Sequence, residues 1–209
     1  MIQYNNNPAL YDPSNDCVIT LAATRNTLVD TDIYSRFIMS CENNFRRLAM
    51  YRGYKSSLMN MGFNKDQNMA SITSEMADIQ LHHHFPTLKQ ATIMITEHLL
   101  NTKGCTTTFE VVQHLENAHR NNWFSVIFLS QTNHEKYHSD PSEFISLKQC
   151  VGNGWKFIDA YGDGMTLDIA FKLLLQLKME EQYGESFSPN LVRAREQIKD
   201  WSLKNSNMR

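Results

Sequence analysis

Ile33, Phe37, Cys41, Phe45, Leu48, Tyr51 and Leu58 recur at spacings of three, four and seven, the pattern of one apolar stripe along a helix. The spacing predicts a single long helix from Asp30 to about Met61, with Arg46, Arg47, Arg52 and Lys55 on its other faces. The Gly62-containing stretch NMGFNKDQN ends it. In ADIQLHHH the period shortens to two, which reads as a strand stopped by Pro86. Thr87 with Gln90, and Thr107 with Glu110, are capping-box pairs that open two helices. The first closes at Lys103-Gly104, and the second ends near His119. WFSVIFLS is a second strand rich in β-branched and aromatic residues, and QTNHEKYH starts another helix. Downstream, GNGWKFIDAYGDG places Trp155 and Phe157 in the core, and helices run from Thr166 to about Tyr183 and from Ser188 to about Leu203.

The order is strand, two helices, strand, helix, with helices on either side. It predicts an α+β, mostly helical protein. The natural divisions are a polar N-terminal arm (1–30), a helical region (31–77), a central unit (78–160) and C-terminal helices (161–209). Only CVITLAAT within the arm has the pattern of a strand or helix.

Composition narrows the function. With 42% hydrophobic and 11% aromatic residues in a chain of 209, a packed core is affordable. A net charge of −2 and the lack of a basic run mean that a nucleic-acid partner has to be engaged by local charge. Cys17, Cys41, Cys105 and Cys150 form no C-x-x-C pair and read as reduced thiols, mostly buried. MIQYNNNPAL lacks the basic start and apolar run of a signal peptide, and no apolar run reaches the roughly 18–20 residues of a membrane span. These features predict a soluble protein of the cytoplasm, with no membrane partner.

All eight histidines fall between His82 and His138. On a helix, His134 and His138 share a face. Adjacent histidines on a strand point to opposite sides. If His82 faces that helix, three neutral imidazoles surround one divalent cation and leave coordination positions open, as in a catalytic rather than a closed structural site. His83, on the opposite side of the strand, would then be placed to activate water. A lone H-x-x-x-H is common, and three consecutive histidines also suit a solvated surface. The ordered combination points to a site. His84 is expected to be exposed, and His98 and His114 to be surface or hydrogen-bonded core residues.

IQLHHHFPTLKQA, FEVVQHLENAH and VIFLSQTNHEKYH together resemble the ββα-metal, or HNH, nuclease motif. The second half is similar in spacing to colicin-type DNases, and the whole is similar to small phage-encoded HNH-like proteins over roughly residues 50–160. The resemblance implies a ββα-metal motif with a helix pair inserted between its strands. It also implies an HNH-type endonuclease that hydrolyses DNA. His82, His134 and His138 would hold one divalent ion (zinc, nickel, manganese or magnesium), and His83 would act as base. His119 matches a histidine of those proteins. Their middle Asn, which braces the base, falls at Ser125 here, with Asn121 and Asn122 just upstream. Arg46, Arg47 and Lys136 are candidate nucleic-acid contacts. In a competing reading the frame is a metal-stabilised binding module, inactive in cleavage, within a phage regulatory or assembly complex that includes a phage or host protein partner. A third reading is a helical interaction protein with incidental histidines.

Overall fold

Asp30 begins the first helix by accepting hydrogen bonds from the backbone N–H groups of Asp32 and Ile33. The computed structural model describes residues 22–140, 143–184 and 188–206. The arm up to residue 21, with Cys17 and most of CVITLAAT, lies outside the described residues. The expected long helix is two: α1 (Thr31–Arg47) and α2 (Ala49–Asn60), separated at Leu48, whose ψ of 137° is extended. The reason is the aromatic packing beyond the break. On an unbroken helix, residues six apart stand about 240° round the axis. Phe45 and Tyr51 instead lie with ring centroids 5.0 Å apart, and both pack against His119.

β2 (Ile79–Phe85) follows, then α3 (Leu88–Lys103), whose capping box of Thr87 and Gln90 is formed in both directions. Gly104 takes the left-handed conformation that closes α3. A two-residue strand, β3 (Cys105–Thr106), pairs with β1 (Ala23–Thr24) and leads into α4 (Thr108–Arg120). Thr107 caps α4, but the Glu110 side chain turns to Lys103 instead of completing a box. β4 (Ser125–Ser130) pairs antiparallel with β2, from Ile79 opposite Ser130 to His83 opposite Val126, and an irregularity between His83 and Phe85 shifts the register at His84. α5 (Gln131–Ser139), capped by Ser130, packs on both strands. The described chain ends with α6 (Gly154–Tyr161), α7 (Leu167–Tyr183) and α8 (Pro189–Ser206). The fold is mostly helical with two small antiparallel sheets.

The main core joins Phe45 of α1, Phe85 of β2, Ile95 of α3, Leu115 of α4, Phe128 of β4, Phe157 of α6, Leu173 of α7 and Ile198 of α8. The GNG turn sets α6 against the sheet. Gly152 has φ +101°, and a Cβ on Gly154 would lie 2.0 Å from the Phe85 carbonyl oxygen. The outer edge of β4 is occupied along its length. Val126 exchanges two backbone hydrogen bonds with Val151, while Gln67 receives the Phe128 N–H on its side chain and donates its own N–H to the Phe128 carbonyl. The Ser130 N–H donates to Asp66.

Candidate metal centre

Strand alternation puts His82 and His84 on the α5 side of β2 and His83 on the other. His82 is 5% exposed, and its Nδ1 lies 3.0 Å from His134 Nε2. The rings of His82, His134 and His138 form a near-equilateral set, with centroids 5.0, 5.1 and 4.8 Å apart. One ring nitrogen from each lies within 4.8 Å of the others. Zinc–imidazole bonds of about 2.1 Å in a tetrahedron place nitrogens about 3.4 Å apart, so small ring rotations close the set on an ion. His82 Nε2 is buried and has no hydrogen-bond partner, a position that normally costs about 1–3 kcal/mol. Burial, then His84, His134, His138 and the Arg46 guanidinium, hold the His82 pKa down to about 3. Burial and His138 lower that of His134. Both rings therefore keep lone pairs available at neutral pH.

Asp66, within the stretch NKDQN that carries no motif of its own, fixes the start of α5. It is fully buried. One carboxylate oxygen accepts from the N–H groups of Asn68 and Met69 at 2.8 and 2.9 Å. The other accepts from Ser130 N at 2.8 Å and Asn133 Nδ2 at 2.7 Å. These bonds hold the last residue of β4 and the first turn of α5 to the loop after α2. Burial alone would raise the Asp66 pKa, but the hydrogen bonds outweigh it and keep the group below its ordinary value. An acidic residue in a loop, four places after Gly62, looks like ordinary solvated sequence, and only its burial reveals it.

His83 occupies a closed aromatic box. It is 4% exposed, stacks on Tyr51 with centroids 6.0 Å apart, and meets Phe124 edge-on. Its Nε2 lies 2.7 Å from His119 Nε2. His119 Nδ1 donates to the Leu115 carbonyl at 2.8 Å, so its Nε2 carries the lone pair and His83 is the donor. Burial holds both pKa values down, His119 to about 4. The pair is a neutral internal hydrogen bond. A general base must reach the proton it removes, and His83 is 4% exposed inside this box, with its Nε2 proton donated to His119. Nor does Ser125 brace His83, because its hydroxyl accepts from Gly154 N–H and sets α6. Asn122, at φ 54°, turns the chain after α4 and accepts from the Asn153 N–H.

His84, expected at the surface, is 2% exposed. It lies between Tyr137, whose hydroxyl is 3.2 Å from Nδ1, and Gln176, 2.9 Å from Nε2. His98 meets the Asp163 carboxylate, and His114 the Tyr161 hydroxyl. Lys136 is held in an ion pair with Glu143, and Arg46 and Arg47 are exposed on α1. Beside the histidines is a cleft of about 340 Å³ that reaches from His138 to the outer side of α7. Among the described residues no helix is long and apolar enough to cross a membrane.

No curated protein and no solved structure matches the chain. One family model does, over residues 6–202, and its description is bacteriophage G278-like virion protein. This corrects the nuclease reading. The HNH resemblance rests on short stretches within residues 50–160, whereas the virion-protein pattern accounts for nearly the whole chain. The assignments of HNH endonuclease and DNA hydrolysis are withdrawn with it, and with them the reaction in which His83 would act as base. Matched from residue 6 to residue 202, the chain belongs to the bacteriophage G278-like virion protein family.

Proposed function

We propose that this protein is a structural module of the phage particle, docking with other phage proteins, in which one divalent ion held by His82, His134 and His138 locks α5 onto the β2–β4 sheet. The observation that carries the metal half is the convergence of the three rings, with His82 Nδ1 3.0 Å from His134 Nε2 and one nitrogen of each ring within 4.8 Å of the others. Family membership supports the assembly half. α5 is the element that needs such a lock: none of its described residues is buried, so the hydrophobic contribution that fixes other helices is small here. Its attachments include the Ser130 cap, Asp66, the histidines and Tyr137, which packs on Ile127, Leu129 and Ile145. An all-imidazole set favours zinc or nickel over magnesium, which prefers oxygen ligands. The module is made in the host cytoplasm and built into the particle.

The test is metal content and thermal unfolding of the purified protein, after chelation and after adding Zn²⁺, Ni²⁺, Mn²⁺ or Mg²⁺. One equivalent of zinc or nickel bound by the wild type and not by His134→Ala is the expected result. Mass spectrometry of purified virions checks the other half, since the protein must be present at a fixed copy number. Equal metal uptake by the two proteins overturns the metal assignment. Absence from the particle overturns the structural one.

A further inference from the structure

Three imidazoles are one ligand short of a closed tetrahedral set, and they bring no negative charge to balance a divalent ion. The exposed ligand, His138, stands at the end of the cleft. Phe144, Leu175 and Met179 give the cleft an apolar stretch of wall, with Leu175 48% exposed, beside the polar Gln176 and Lys172 of α7. Leu175 continues on α7 into Phe171, 68% exposed, one helical turn away. The rim carries Asp140 and Glu143, which disfavour a run of acidic residues. Arg46, exposed at the end of α1, lowers the pKa of both His82 and His134 and so lies within Coulombic range of the cluster. The chemistry that matches is one carboxylate on an otherwise apolar segment.

We infer that the His82–His134–His138 centre takes its remaining ligand from a partner phage protein, as a single carboxylate presented by an apolar segment lying in the cleft between α5 and α7. The inference rests on the metal reading above. The carboxylate balances the charge of the ion, Arg46 adds attraction from within Coulombic range, and Phe144, Leu175 and Met179 cover the flanking side chains. Binding then requires both metal and partner, which makes docking conditional on a loaded centre.

Cobalt(II) in place of the native ion reports its ligands through visible absorption. The probes are acetate, a capped Leu-Asp-Phe peptide, the matching Leu-Asn-Phe peptide and polyglutamate. The expected result is a saturable spectral shift with Leu-Asp-Phe at a concentration roughly tenfold below that needed for acetate, no shift with the Asn peptide, and weaker binding of polyglutamate. In Leu175→Ser, cobalt binding is retained and the advantage of the peptide over acetate disappears; circular dichroism verifies its fold. Bound cobalt with a spectrum unmoved by the Asp peptide, or moved equally by acetate, overturns the partner inference alone. A chain that takes up no cobalt, or takes it up equally after His134→Ala, overturns the metal reading and the inference with it.

Discussion

Replacing Asp66 by Asn removes one oxygen from a carboxylate that accepts four hydrogen bonds, two on each oxygen. The amide nitrogen of Asn then faces two N–H donors whichever way the group is turned. Hydrogen bonds to a charged acceptor contribute about 1.5–3 kcal/mol each. A simple sum over the two affected bonds gives roughly 3–6 kcal/mol, plus the loss of charge assistance from the remaining pair. Relaxation offsets part of this, because Asn68 and Met69 lie on a loop that water can reach. The Ser130 N–H has no such outlet, since Ser130 is 2% exposed. The expected loss is about 3–5 kcal/mol in urea unfolding at pH 7. The same change loosens the first turn of α5, so zinc affinity should fall about tenfold, as for other groups that orient metal ligands. A loss below about 1 kcal/mol, with zinc affinity unchanged, would refute the claim that Asp66 positions the ligand helix.

Other outcomes follow from the same geometry. His84 and His119 are kept neutral by burial, each with a pKa near 4, while the unfolded chain protonates them near 6.5. The unfolded state therefore binds more protons between these values, and acidification from pH 7 to 5 should cost about 2 kcal/mol per ring; urea midpoints measured with chelator present, equal at the two pH values, would contradict this. Gly154→Ala sets a methyl 2.0 Å from the Phe85 carbonyl oxygen, so α6 must shift, with a stability loss of about 3 kcal/mol readable in the thermal midpoint. Zinc at a hundred times its dissociation constant should stabilise the wild type by about 2.7 kcal/mol and leave His134→Ala unmoved; an equal rise in both would place the ion elsewhere.

The parts of the fold legible in the sequence are those decided by neighbours in the chain. Thr87 with Gln90 announces the start of α3, and Gly104 its end. His134 and His138 meet His82 because helix and strand periods alone bring them together. The break at Leu48 left no such mark. Leucine is a good helix former, and the decision is taken by Phe45 and Tyr51 packing on His119, some seventy residues away. The burial of His84 is not legible because alternation gives its side of the strand but not that Tyr137 of α5 and Gln176 of α7, distant in the chain, close over it. The family was misread for a related reason. A short histidine pattern constrains a site, while membership is a property of the whole chain.

The occupied outer edge of β4 bears on how such a protein can be crowded into a particle. An open strand edge invites any neighbouring chain to add a strand, by the same backbone bonds that build fibrils. Here the outward groups of Val126, Phe128 and Ser130 are taken by Val151, Gln67 and Asp66. Many copies can therefore lie side by side without polymerising through this edge. Partners that approach β4 from that side must recognise side chains, and recognition through side chains can be selective where backbone pairing is not.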